Sequence, residues 1–305
     1  MAQLHVPAGP VYDLAEAVLK DRAEFAAFRS GTLSRADFAT FLDTVAVDLC
    51  RAGLPADDVQ FAKRYPSSES AFVDESLLRL AAAGIIPTVD YDRAAFERAG
   101  AAARGQYQHG PFATYIYPEE ARLLFAACDI LRPRRTVVLG SYYGYWAYWA
   151  GAAIARHDGR IVLVDPDGRA QAIARQSFER LGLSRCTEIV EDTGEAYLAH
   201  GNEPFDAVII DAELPRADVD PRQAGKGIYA SLLEAALARV RPGAALICHN
   251  ILFHDIARVE FFDRIIDRNQ RELAAFLSLV SRCCEAFVEC TSTEGVGIGR
   301  LRGTP

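Results

Sequence analysis

Residues 140–144, Gly-Ser-Tyr-Tyr-Gly, stand between a β-branched run at 136–139 and an aromatic, apolar stretch that begins at Tyr145. A strand that enters a helix through two glycines brings its backbone close to a ligand, because glycine puts no side chain in the way. The next β-branched run ends at Asp165, whose carboxylate can accept hydrogen bonds from both hydroxyls of a ribose. Asp192 and Thr193 follow a third run, and a fourth ends at Asp211. A glycine turn alone marks only a packing turn. Followed in order by acidic ends to the next strands, it specifies a nucleotide-like ligand far more narrowly.

A second group of residues could handle protons. Cys248-His249-Asn250 closes the fifth run, and an imidazole there titrates near neutral pH. Asn250 can orient it, and Glu213 lies just beyond Asp211. Aromatic residues crowd the segments on either side: Tyr107, His109, Phe112, Tyr115, Tyr117, Tyr142, Tyr143 and Phe253. Taken singly each suits a core; together their π faces suit the wall of a pocket for a flat aromatic molecule and also favour a cation. His5, His157 and His200 read as surface or loop residues.

The elements that would position these groups follow from the pattern. Runs at 136–139, 160–164, 187–190, 207–210 and 244–248 alternate with helical stretches of crossover length, which specifies a mostly parallel sheet with helices on both faces. A helix over 261–281 follows, and runs at 286–290 and 296–301 flank a Thr-Ser-Thr-Glu-Gly turn as a hairpin. The fold expected is therefore a Rossmann-like, doubly wound α/β sheet of seven strands with a C-terminal antiparallel hairpin. Before it, the sequence is helical: 14–28, a stretch opened by Ser34 and Asp37 as a capping box and stopped by Gly53, then 75–83 and 92–103. Residues 1–106 are read as an all-α segment, a lid or a dimerisation arm, and 107–305 as the catalytic domain.

Half of the 305 residues are hydrophobic and a quarter are charged, as in an ordered globular protein. The formal net charge of −8 argues against a nucleic-acid partner, which needs lysine and arginine to displace counterions. Seven cysteines without a C-x-x-C spacing read as reduced thiols, and no secretory signal is visible, so a cytoplasmic protein is expected. The uncharged run 136–155 is long enough for a membrane span, but its glycines and aromatic residues read better as a buried strand, a turn and a buried helix.

With these residues in view, the chain resembles the class I S-adenosylmethionine-dependent methyltransferases, and within them the catechol and caffeoyl-coenzyme A type O-methyltransferases. The matching pieces are 140–145, Asp165, Phe205-Asp206-Ala207-Val208-Ile209-Ile210-Asp211-Ala212, Arg241-Pro242-Gly243-Ala244, and Tyr117-Pro118-Glu119-Glu120-Ala121 at a helix entry. They span about residues 107–303 and leave out the N-terminal helices. The resemblance implies S-adenosylmethionine as cofactor. Gly140, Ser141, Tyr142, Gly144 and Tyr145 would surround it, Asp165 would hold its ribose, and Asp192 and Thr193 would lie beside its adenine. Asp211 would stand between cofactor and substrate. Tyr107, His109, Tyr115, Tyr117, Tyr143 and Phe253 are the expected substrate-binding residues.

The departures carry information too. Metal-dependent members of this family hold a divalent cation with the strand-four Asp and an Asp-Asn pair, where this chain has Asp211 and then His249-Asn250. Hard cations prefer oxygen ligands, so no metal is expected. Leu214 stands where the catechol enzymes carry a lysine base, Val138 replaces an acid, and Trp146 replaces a serine. The expected reaction is metal-independent methyl transfer to a small, electron-rich aromatic of specialised metabolism. An indole-type carbon is the leading acceptor and a phenol oxygen the alternative, with His249, Asn250 and Glu213 as catalytic candidates. From another class, a nicotinamide-dependent oxidoreductase or an inactive cofactor-binding module would share the glycine turn, although Tyr142 and Tyr145 fill slots where a dinucleotide fingerprint needs glycine. A homodimer is expected, with no membrane partner.

Overall fold

The computed structural model describes residues 8–112, 114–217, 219–220 and 222–302. Six helices lead the described chain: α1 (Ala8–Leu19), α2 (Ala23–Arg29), α3 (Arg35–Arg51), α4 (Ala56–Ala62), α5 (Glu69–Ala82) and α6 (Arg93–Gln106). Then α7 (Pro118–Leu131) introduces β1 (Arg135–Leu139), α8 (Tyr145–Ile154), β2 (Arg160–Asp165), α9 (Gly168–Arg180), β3 (Thr187–Glu191), α10 (Gly194–His200) and β4 (Phe205–Ile210). The chain continues through α11 (Ile228–Leu237), β5 (Val240–His249), α12 (Asp263–Glu272), α13 (Ala274–Cys283), β6 (Cys284–Cys290) and β7 (Val296–Leu301).

The seven strands form one sheet in the order β3-β2-β1-β4-β5-β7-β6. β1 pairs in parallel with both β2 and β4, so the strand order reverses beside β1, while β7 runs antiparallel to β5 and to β6. Helices cover both faces, which is why β1, β2 and β4 read as unbroken apolar runs. Successive residues still alternate between the two faces. Val138, Leu163, Ile209 and Ile247 pack with α7 and α8, whereas Val137, Val162, Val208 and Leu246 pack with α11 and α13. The run 136–155 is β1, a turn and α8, and no described helix is long and apolar enough to cross a membrane. All seven cysteines are free thiols.

The helical expectation for the N-terminal segment holds over the described residues, with different subdivisions. The stretch 14–28 is split between α1 and α2, and the helix expected over 261–281 is two, broken at Leu273. At α3 the hydroxyl of Ser34 accepts from the Asp37 amide at 3.1 Å and donates to the Asp37 carboxylate at 2.6 Å, as the capping pattern requires. The cores cross the boundary at residue 106. Val73, Leu77, Leu80 and Phe96 share a cluster with α7 and α8. The apolar sides of α1, α3 and α4 close over Tyr117, Leu252, Phe262 and Ile266. These helices therefore bury their stripes on the sheet domain itself.

Candidate active site

Ligands of open parallel sheets bind beyond the carboxyl ends of the strands where the order reverses, and the residues after β1, β2, β4 and β5 meet there. Gly140 has φ +77°, and a Cβ on it would lie 2.4 Å from the Cα of Ala212, so the turn presses directly on the end of β4. Tyr142 also takes a positive φ of 48°, which is uncommon for a tyrosine. Its amide donates to Asp165 Oδ2 at 2.7 Å, and the Asp167 amide donates to Asp165 Oδ1 at 3.0 Å. Both carboxylate oxygens are thereby aimed while keeping lone pairs free. Gly144 (φ +82°) starts α8. Ser141 is buried, and its hydroxyl accepts from Gln171 Nε2 at 2.9 Å. Asp192 and Thr193 lie past β3, where Thr193 caps α10 through the Ala196 amide at 3.3 Å.

Beside this cleft lies a buried ionic chain. Glu120 is in the first turn of α7, and its Oε2 accepts from the Tyr117 amide at 3.2 Å and from His249 Nε2 at 2.9 Å. His249 Nδ1 is 3.4 Å from Asp211 Oδ2. The histidine is 1% exposed, and the indole of Trp146 stacks on it with centroids 4.4 Å apart. Burial works to lower the pKa of His249, but the carboxylates of Asp211 and Glu120 outweigh it and raise the pKa to about 10. His249 is thus an imidazolium at neutral pH, clamped by two carboxylates and covered by a π face. An imidazolium has no lone pair with which to accept a proton, so this geometry favours a fixed positive charge over the proton-accepting role expected from the sequence.

A lysine completes the chain. Leu214 and Gly225 exchange backbone hydrogen bonds at 3.0 and 3.1 Å, which closes the intervening loop on itself. Lys226 thereby returns to the end of β4, with Nζ 3.5 Å from Asp211 Oδ1 and 3.8 Å from Glu213 Oε2. Lys226 therefore stands beside Asp211 although Leu214 occupies the sequence position of the family's lysine. Glu213 is on the rim, 44% exposed, and pairs with Arg216 at 2.9 Å. Asn250 has φ +55°, and its Oδ1 is buried with no hydrogen-bond partner among the described residues.

The aromatic candidates divide into two groups. Tyr107 donates to the Tyr143 carbonyl at 2.7 Å, His109 Nδ1 lies 3.2 Å from the Tyr143 hydroxyl, and Tyr145 stacks within the same cluster. This knot braces the entry to α8. Tyr115 and Tyr117 stack on each other and meet Phe61 and Tyr65 from the N-terminal segment. Phe253 is buried beyond the end of β5. Tyr142 is 38% exposed at the cleft.

The turn between β6 and β7 also reaches the site, and sequence reasoning passed over it as a simple turn. Ser292 donates to Glu120 Oε1 at 2.7 Å, and the Glu294 amide donates to the same oxygen at 2.7 Å. The Thr293 amide and hydroxyl donate to Glu119, whose other oxygen accepts from Tyr12 of α1 at 2.7 Å. Burial and the neighbouring Glu120 push Glu119 up to about 7. Arg64, fully buried just past α4, donates to the carbonyls of Thr293 and His254 at 2.9 Å and of Ser292 at 3.1 Å. It also pairs with Asp255 at 3.3 Å. A signal for this existed. His249 pairs with Val296, so a hairpin antiparallel to β5 must place its turn at the carboxyl edge.

Comparison with known proteins finds methyltransferases similar to this chain in sequence and in fold. Residues 137–251 match a protein family described as a methyltransferase domain. The chain is 25% identical over 158 residues to a catechol O-methyltransferase of Niastella koreensis, covering 50% of this chain and 65% of that one. It is 27% identical over 173 residues to tricin synthase 1 of Oryza sativa subsp. japonica, covering 54% of this chain and 64% of that one. The match thus spans just under two thirds of each relative's length. Among solved structures, the SAH-bound Podospora anserina methyltransferase PaMTH1 has the same fold, with TM-score 0.52, 16% identity and coverage of 75% of this chain and 96% of that chain.

Proposed function

We propose that this chain is a class I S-adenosylmethionine-dependent methyltransferase of the catechol O-methyltransferase kind, and that it methylates a small aromatic acceptor without help from a divalent metal. The observation that carries the first part is the glycine turn beside Asp165 at the reversal of the strand order. Asp165 holds the ribose of S-adenosylmethionine, the backbone of 140–144 borders its methionine part, and Asp192 with Thr193 borders the adenine. The cofactor supplies a methyl group activated on a sulfonium. This chain aligns the acceptor with it, excludes water and takes up the acceptor's proton.

The metal-independent part rests on the donor set. His249 faces a carboxylate through each ring nitrogen, and Lys226 neutralises Asp211 from the other side. A Mg²⁺ ion needs about six oxygen ligands, and a site already holding two cations repels it. The imidazolium supplies at this position the positive charge that a metal would bring. One relative is named a catechol O-methyltransferase, which favours a phenol oxygen over the indole-type carbon expected from the sequence. The N-terminal helices, docked through Arg64 and Tyr12, serve as a wall over the acceptor, a role their buried apolar faces favour over a dimerisation arm.

Asp165→Ala tests the cofactor assignment. Removing an acceptor of charge-assisted hydrogen bonds is expected to cost about 1.5–3 kcal/mol of affinity for S-adenosylhomocysteine, measured by calorimetry. Unchanged affinity would take Asp165 out of the ribose position.

A further inference from the structure

The turn 292–295 is fixed on every side except one. Its carbonyls at Ser292 and Thr293 are held by Arg64, its hydroxyls by Glu120 and Glu119, and the Gly295 amide donates to Ser292 Oγ at 3.0 Å. Gly295 has φ +84°, and a Cβ there would sit 2.8 Å from the backbone of Ile251 and Leu252, so the turn cannot shift toward β5. What remains is the side chain of Glu294. It is 7% exposed, and no hydrogen bond to its carboxyl occurs among the described residues.

A carboxyl 7% exposed and without a protein donor loses most of its water to burial and gains no hydrogen bond in its place. Such a group is retained where it has a task. We propose that Glu294 is the general base that removes the acceptor's proton during methyl transfer, an inference that rests on the methyltransferase reading above.

The surroundings support this role. Glu120 and Tyr117 face Glu294 from α7, His249 from β5, Arg64 from the end of α4, Lys226 from the loop before α11, and Tyr115 from the segment before α7, itself bonded to Asp58. Each cation is committed elsewhere: His249 to Glu120 and Asp211, Lys226 to Asp211 and Glu213, and Arg64 to Asp255 and three carbonyls. Burial, with the Glu120 charge, pushes Glu294 up to about 7, which poises it to accept a proton near neutrality. In the step, the acceptor's O–H or ring N–H proton passes to a Glu294 oxygen. The electron pair released in the acceptor forms the new bond to the methyl carbon. The carbon–sulfur bond breaks with its pair going to sulfur, which leaves as a neutral thioether.

The test uses the full chain with Glu294→Gln and Glu294→Asp. In the wild type without substrate, difference infrared or ¹³C NMR titration is expected to show two carboxyls with midpoints near 7, one of which vanishes in E294Q while that of Glu119 remains. With an accepted phenol, E294Q is expected to lose about 10²–10⁴-fold in kcat/KM together with the acidic limb of its pH profile. E294D recovers part of the rate, and affinity for S-adenosylhomocysteine stays within about twofold in both. A wild-type rate with the acidic limb intact in E294Q, or a carboxyl titrating in the ordinary glutamate range, overturns the base alone. A wild type that neither binds S-adenosylhomocysteine nor transfers a methyl group overturns the methyltransferase reading and the base with it.

Discussion

Arg64→Met is expected to lower the free energy of unfolding by about 3–5 kcal/mol, the range for breaking a buried, hydrogen-bonded ion pair by removing one partner. The substitution keeps much of the apolar stem that packs near Phe262, where the guanidinium carbon lies 5.1 Å from the ring centroid. It strips the donors from three carbonyls at once and leaves Asp255 without its cation. The effect should fall on function too, because two of the freed carbonyls, Ser292 and Thr293, belong to the turn that presents Glu294 and ties down Glu119 and Glu120. Urea denaturation reads the loss as a lower midpoint at unchanged slope. A shift worth less than about 1 kcal/mol would mean that the N-terminal helices are held on by their apolar faces alone.

His249→Leu should be nearly as costly and should also change how stability depends on pH. The folded protein holds the His249 proton with a pKa of about 10 against an ordinary value of 6.5. Between those values the native state binds more protons than the unfolded chain, so stability falls as pH rises. The contribution is whole below about pH 6.5 and gone above about pH 10. Glu119 and Glu294, raised from 4.5 to about 7 by burial and by the Glu120 charge, act with the same sign over their own window. The melting temperature of the wild type should therefore decline from about pH 5 to about pH 10. His249→Leu should flatten the alkaline half of that decline while lowering stability by about 3–5 kcal/mol at pH 6, because Glu120 would lose its buried cation and Asp211 would keep only Lys226. With the positive charge built in, turnover of the wild type should survive EDTA. Loss of turnover on chelation, restored by Mg²⁺, would contradict the imidazolium's role.

The sheet was legible because each strand is a short, doubly covered apolar run with its own turn signal. The glycine turn and the acidic strand ends that meet beyond the sheet were legible because they follow one after another along the chain. The acid–base chain was not, since its members are joined only by folding. Glu120 lies 129 positions from His249, and Arg64 lies 229 positions from Thr293. His249 was recognised as an unusual residue at a strand end, but its protonation depends on two carboxylates whose proximity no local pattern announces. Lys226 was hidden by a loop whose closure between Leu214 and Gly225 restores a lysine to the end of β4. Glu294 sits in a stretch that composition marks only as a turn, although the antiparallel return of β7 along β5 fixes where that turn must go.

The identity of the ligand at the glycine turn is the claim on which the rest depends, and a thermal melt of the wild-type chain tests it most directly. A ligand that binds only the native state raises the melting temperature. With EDTA present, S-adenosylhomocysteine is expected to raise it in a concentration-dependent way, while NAD leaves it unchanged because Tyr142 and Tyr145 stand where a dinucleotide turn needs glycine. A rise with NAD and none with S-adenosylhomocysteine would contradict the account.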